Sequence, residues 1–209
     1  MSELPNALDS IRRLMRRRSS DSEQCELCSA PVPSEHAHLV EIASRKILCA
    51  CQACAILFSG RDDAKYRRIP DRIEMLNDFV MTDAQWESLN VPISLAFFFY
   101  DSNAGRVVAF YPSPASATES LLPLDAWQEL IAANPVLAEL QPDVEALLAK
   151  RIGGQNEYFR VPIDHCYKLV GLIRMHWRGL SGGTEVWREI GKFYDQLKAR
   201  SVTRGPVHA

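Results

Sequence analysis

Apolar residues come in groups along this chain, and the period of each group separates strand from helix. Residues 93–100 carry the run Leu95-Ala-Phe-Phe-Phe-Tyr100, which predicts a buried strand. Asp101-Ser-Asn-Ala-Gly105 is turn chemistry, and residues 106–111 predict the returning strand of a hairpin. Before it, Thr82-x-x-Gln85 is a capping-box pattern that opens a short helix with Trp86 and Leu89, limited by Pro92. After it, Pro112 and Pro114 sit in a predicted loop. Asp125-x-x-Gln128 starts a helix carrying Trp127, Leu130 and Ile131 and closing at Asn134-Pro135. Residues 143–151 predict another short helix, stopped by Gly153-Gly154, and residues 158–161 an additional strand.

Two helices close the chain. Asp164 is the predicted N-cap of the first, with Cys166, Leu169, Val170 and Ile173 on one face and Gly179 at its end. The second begins near Thr184, and Val186, Trp187, Ile190, Phe193, Tyr194 and Leu197 form an amphipathic stripe. The tail from Ser201 is expected to fray.

The N-terminal part has a different pattern. Leu4, Leu8, Ile11, Leu14 and Met15 follow helical spacing among Arg12, Arg13, Arg16, Arg17 and Arg18, so residues 1–22 read as a basic tail or a short amphipathic helix. No apolar h-region follows these arginines, which excludes a secretory signal in this stretch. Between residues 23 and 58 the apolar groups are short, and cysteine dominates. Residues 38–42 and 45–48 predict two small strands around Ala43-Ser44.

Five of the six cysteines fall between Cys25 and Cys54. Cys25-x-x-Cys28 and Cys51-x-x-Cys54 are two pairs whose spacing lets two sulfurs from one tight turn face the same ion. The favoured ligands are Cys25, Cys28, Cys51 and Cys54; the alternates are Cys49, His36 and His38. On an extended strand Cys49 and Cys51 point to the same side, so Cys49 is expected either as a packed thiol near the site or as a replacement ligand. Four thiolates in a tetrahedron suit zinc, and also a single iron of the rubredoxin kind; the second pair lacks Pro-Gly chemistry, which favours zinc. Two knuckles and a hairpin are the parts of a zinc-ribbon-like module, which buries too little apolar surface to hold itself without a metal.

Charge and composition narrow the function. The 209 residues suffice for one medium domain plus a small module. A net charge of -2 gives no global attraction to nucleic acid. Locally, Arg45, Lys46, Arg61, Lys65, Arg67 and Arg68 are diluted by Glu35, Glu41, Asp62 and Asp63, and the module has no aromatic stacking platform. A zinc-ribbon nucleic-acid binder is therefore an alternative and not the first reading. No apolar window reaches membrane-span length. Cysteine pairs without an export signal point to metal in a reducing cytoplasm. No H-E-x-x-H, G-x-S-x-G or dinucleotide fingerprint is present, and no pair of carboxylates stands out as acid and base, so the expectation is a protein that is not an enzyme. Cys166, beside His165 at a helix start, falls on the apolar face and reads as core. Trp177, Arg178 and Trp187 flank a glycine-rich connection between the last two helices and are the candidate partner-binding residues.

Several of these motifs occur together. Cys25-x-x-Cys28, His36-x-His38-Leu and Leu48-Cys-Ala-Cys-x-x-Cys54 precede Tyr167-x-Leu-Val-Gly-Leu-Ile-Arg174 and Trp177-Arg-Gly-Leu-Ser-Gly-Gly-x-x-Val-Trp187. The combination resembles an uncharacterised bacterial domain family, over about residues 23–200, whose genes lie beside those of actinobacterial-type nickel–iron hydrogenases. The resemblance implies an accessory role in assembly, maturation or docking, with hydrogenase subunits as partners, and it carries no catalytic residue.

The expected fold is α+β: a small zinc-ribbon-like module followed by a small antiparallel sheet packed with helices. Residues 1–22 form the tail or helix, 23–66 the four-cysteine metal-binding module, 67–200 the α+β domain and 201–209 a C-terminal tail. The expected function is a non-enzymatic, metal-binding accessory protein. The alternative is a rubredoxin-like electron carrier or redox sensor.

Overall fold

The computed structural model describes residues 23–60, 64–121, 123–179 and 181–203. The helix expected within residues 1–22 lies outside them, as do Arg61, Asp62 and Asp63. In chain order the elements are β1 (Ala37–Glu41), β2 (Lys46–Ala50), α1 (Gln52–Ser59), β3 (Tyr66–Arg68), β4 (Glu74–Met75), α2 (Asp83–Ser88), β5 (Leu95–Asp101), β6 (Arg106–Pro112) and β7 (Ala117–Ser120). Then come α3 (Leu124–Ala133), a 3-10 turn (Pro135–Glu139), β8 (Glu145–Ile152), β9 (Gln155–Pro162), α4 (Ile163–His176), α5 (Gly183–Arg200) and β10 (Val202–Thr203). The fold is α+β.

The larger sheet has seven strands in the order β10-β4-β9-β8-β5-β6-β7. All its pairings are antiparallel except β10 with β4. Helices cover both faces, which explains why β5 is apolar on both sides from Leu95 to Phe99 instead of alternating with polar residues. Leu95, Phe97 and Phe99 point into a core closed by α4 and α5. Ala96 and Phe98 point the other way, into a core with Trp127 and Leu130 of α3 and Leu137 of the 3-10 turn. Phe97 stacks on Phe110 at 5.6 Å between centroids, and Phe98 on Trp127 at 5.4 Å. The capping box at Thr82 is formed on both sides.

Four sequence expectations are corrected. Residues 145–152 are a central strand, not a helix. Glu145-Ala-Leu-Leu-Ala-Lys-Arg is rich in helix formers, but that preference is worth only a few tenths of a kcal/mol per residue. As β8, the segment puts Ala146 and Leu148 into one core and Leu147 and Ala149 into the other. Burying each leucine is worth about 1.5–3 kcal/mol, which outweighs propensity. Gly153 and Gly154, both with positive φ, are the two-residue turn of the β8–β9 hairpin. Second, the loop after Pro112 contains β7, an edge strand paired with β6. Third, the tail beyond Ser201 adds β10 against β4. Fourth, the residue before α4 is Pro162, and Asp164 lies in the helix's first turn without capping it. The sheet is accordingly larger than expected.

The smaller sheet has the order β2-β1-β3. Its third strand runs to Arg68, past the expected boundary at residue 66. Ala37, Leu39, Leu48 and Ala50 face the cysteine-lined core, while Val40 and Ile47 on the opposite face join the core under α4 and α5. The small sheet is thus seated on the large one. Arg45 pairs with buried Asp101, and Arg67 with buried Asp143 at 2.7 Å, pinning the two together.

Candidate metal centre

Each cysteine pair is shaped by its backbone. At the first, the Ser29 N–H donates to the Cys25 carbonyl and the Cys25 N–H to the Ala30 carbonyl, both at 2.8 Å, and Ser29 turns the chain at φ 61°. At the second, β2 ends at Ala50, and Cys51 becomes the N-cap of α1, its Sγ accepting the Cys54 N–H at 3.5 Å. Cys54 therefore lies in the first turn of a helix, facing back to Cys51. The two turns are braced together. The Glu26 N–H donates to the Cys49 carbonyl at 2.9 Å, and the Glu26 carboxylate accepts the Cys49 N–H at 2.9 Å and pairs with Lys46 Nζ at 2.9 Å.

The sulfurs of Cys25, Cys28, Cys51 and Cys54 all lie within 4.8 Å of one another, and those of Cys28 and Cys51 are 3.7 Å apart. A tetrahedral ion with metal–sulfur bonds near 2.3 Å requires sulfurs about 3.8 Å apart. The arrangement thus fits such an ion, and all six cysteines are free thiols. Cys25 and Cys54 are buried and Cys28 is exposed, so the site has a closed side and an open rim. Burial opposes ionisation of Cys25, but N–H groups of Cys51, Leu27 and Cys28 overcome it and bring the thiol down to about 6. Burial pushes the Cys54 thiol up to about 12, with the sulfurs of Cys28, Cys51 and Cys25 adding to the effect. Metal binding here is therefore coupled to proton release, with Cys54 the thiol that burial most opposes ionising. The apolar support is small: Val32, Leu39, Leu48, Ala50 and Ala55.

The alternates do not join this cluster. The strand ends before Cys51, so the same-side expectation for Cys49 and Cys51 fails. Cys49 lies across from His38 in the β1–β2 register, and its sulfur groups with the imidazole nitrogens of His36 and His38, all within 4.8 Å. His36 Nδ1 donates to the Pro33 carbonyl at 2.8 Å, and His38 Nδ1 to Asp164 Oδ2 at 2.8 Å. Asp164 Oδ1 in turn accepts from His165 Nδ1 at 2.9 Å. The Asp164 carboxylate raises the pKa of His38, against the opposing effect of burial. Asp164 has no local sequence signal for this contact, since it lies 126 residues from His38.

The remaining candidates separate. Cys166 is fully buried in the main core, and that burial pushes its thiol well above the ordinary range. Arg45, Lys46, Lys65 and Arg67 are engaged by Asp101, Glu26, Glu41 and Asp143, which removes most of the module's free positive charge. At the glycine-rich connection, Trp177 Nε1 donates to the Gly179 carbonyl at 2.9 Å, and Arg178 Nη1 to the Met175 carbonyl at 3.1 Å. Trp187 leaves the apolar stripe of α5 and is 45% exposed. Gly182 holds this corner at φ 85°, and a Cβ there would meet Val186 Cγ1 at 2.8 Å and the Trp177 ring at 3.1 Å. Gly182→Ala is expected to cost about 1–3 kcal/mol through backbone strain alone. Chemical denaturation should show the loss without a change in bound metal.

These features define an α+β protein with a four-thiol cluster capable of holding a metal ion. Residues 24–201 match the family of unknown function DUF5947, and the chain belongs to that family. No curated protein and no solved structure matches it. Among the described residues, no helix is long and apolar enough to cross a membrane.

Proposed function

We propose that this protein is a non-enzymatic accessory protein in which zinc, held by Cys25, Cys28, Cys51 and Cys54, clamps a docking module. The observation that carries the reading is the convergence of the four sulfurs where two braced turns meet, within 4.8 Å. The clamp also sets the position of α1, whose first turn carries Cys54. That helix exposes Ile56, Leu57 and Phe58 to 60%, 72% and 46%. Three consecutive exposed apolar residues on a metal-anchored helix suit a protein partner better than solvent. A nickel–iron hydrogenase is the partner that the motif resemblance supplies.

Leu57→Asp is expected to abolish co-purification of the hydrogenase subunits while leaving the zinc content unchanged. Undiminished co-purification would remove α1 as the docking face. Full hydrogenase maturation in a strain lacking the protein would remove the accessory role itself.

The N–H groups at the Cys25 sulfur favour a second reading, a rubredoxin-like iron centre for electron transfer. Elemental analysis after anaerobic purification separates the two: zinc in a colourless protein supports the clamp, whereas iron with a visible charge-transfer band supports the carrier.

A further inference from the structure

His36, His38 and Cys49 lie on the face of the small sheet opposite the four-cysteine core. His36 precedes His38 by two residues, and Cys49 sits across from His38 on β2. The hairpin therefore brings two imidazoles and one thiol together, with their ligand atoms within 4.8 Å of one another. The His36 and His38 rings meet edge to face at 4.8 Å.

The hydrogen bonds define which nitrogens are available. The Pro33 carbonyl and the Asp164 carboxylate can only accept, so Nδ1 carries a proton in both histidines, and in the neutral ring Nε2 holds the lone pair. That is the tautomer a metal-ligating histidine adopts when its other nitrogen is held by a carbonyl or carboxylate. The His36 side chain is only 5% exposed, and its Nε2 is buried with no hydrogen-bond partner. A buried acceptor without a partner costs about 1–3 kcal/mol, and a cation at this point would relieve that cost.

We propose that His36, His38 and Cys49 form a second metal site, separate from the four-thiolate clamp, for a divalent first-row transition ion. Two imidazoles and a thiolate suit zinc or cobalt, and three protein ligands leave a coordination position open to water or an exchangeable donor. Asp164 is the positioning residue: it reaches from α4 to hold the His38 ring, so the site spans the seam between the small sheet and the main body. This inference goes beyond the accessory reading and does not depend on it.

The test is the zinc stoichiometry of the full chain, purified anaerobically and equilibrated with buffered free zinc, with cobalt as the spectroscopic probe. Two ions per chain are expected. Cys49→Ser and His36→Phe should each bind one, and Cys49→Ser should lose the sulfur-to-cobalt band of the second equivalent only. Retention of the first equivalent shows that each variant is folded. Asp164→Asn should weaken the second equivalent by about 10–100-fold. A single ion that is lost in Cys54→Ala and kept in Cys49→Ser overturns the second site and leaves the clamp standing. A single ion with the reverse behaviour supports the second site and overturns the clamp. Two ions retained unchanged in both Cys49→Ser and His36→Phe also overturn the assignment.

Discussion

Cys54→Ala should release the clamp metal and unfold the small sheet while the seven-stranded sheet survives. Structural zinc in small modules contributes about 10–16 kcal/mol of apparent folding free energy. On the cysteine side the module has only five buried apolar residues beside Cys25 and Cys54, with Leu27, Ala37 and Tyr66 partly buried around them; on the other side Val40 and Ile47 rest on the main core. Cys54 also lies in the first turn of α1, so losing the ion frees the helix that carries Ile56, Leu57 and Phe58. The main body has its own two cores, one on each face of the larger sheet, and neither contains Cys54. Hydrogen exchange should therefore accelerate by orders of magnitude in β1, β2 and α1, with β5, β8 and β9 still protected. Elemental analysis should show the clamp equivalent lost. A metal-free Cys54→Ala variant with a fully protected small sheet would show that the thiols are not a clamp.

Arg160→Leu should destabilise the main body by about 3 kcal/mol, the lower end of the cost of breaking a buried ion pair. Glu145 is 0% exposed and Arg160 2%. They pair at 2.5 Å, and the Glu145 carboxylate also accepts from Arg72 at 2.9 Å and the Gln141 N–H at 2.9 Å. Arg72 remains in the variant, which is why the lower figure applies. A loss of this size lowers the melting temperature by about 6–12 °C. The double variant Glu145→Leu, Arg160→Leu should recover part of it, because the fully buried Glu145 carboxylate is gone, while Glu74, 3.7 Å from Arg160, keeps only Arg72 at 3.6 Å.

The pH dependence has a definite sign. Burial works against the Glu145 charge, but Arg160, the Gln141 N–H and Arg72 outweigh it and hold the carboxyl below its ordinary value. Its contribution is present above the unfolded glutamate pKa of about 4.3 and is lost as pH falls through the lower folded value. Wild-type stability should therefore drop in acid below about pH 4. In Arg160→Leu the balance moves toward burial, the carboxyl takes up a proton more readily, and the penalty shrinks as pH falls. Denaturation midpoints across that range, compared between the two proteins, read this crossing of slopes.

The two cysteine pairs were legible because their spacing is local: each pair occupies one turn and needs no distant part of the chain. The 95–112 hairpin and the stripe of α5 were legible for the same reason, through strand and helix periods. The second cluster was half legible. Strand alternation relates His36 to His38, and the turn around Ala43-Ser44 fixes the register that places Cys49 opposite His38. The same-side expectation for Cys49 and Cys51 holds only on an extended strand, and Cys51 leaves the strand to cap α1.

From sequence alone come the metal-ligand spacing, the capping box at Thr82 and the apolar faces of the last two helices, each set by interactions within a few residues. Only the tertiary structure made residues 145–152 a strand, because burial on two faces of a sheet outweighs a helix preference of a few tenths of a kcal/mol per residue. It alone brought Asp164 to His38 and β10 to β4, since such contacts depend on how the whole chain packs. It also divided the cysteines into two groups: four sulfurs converge on one side of the small sheet, and Cys49 turns with two histidines to the other. That division follows from where the strand ends: the pleat would send Cys49 and Cys51 to one face, but Cys51 leaves the strand to cap α1 and turns to the other side.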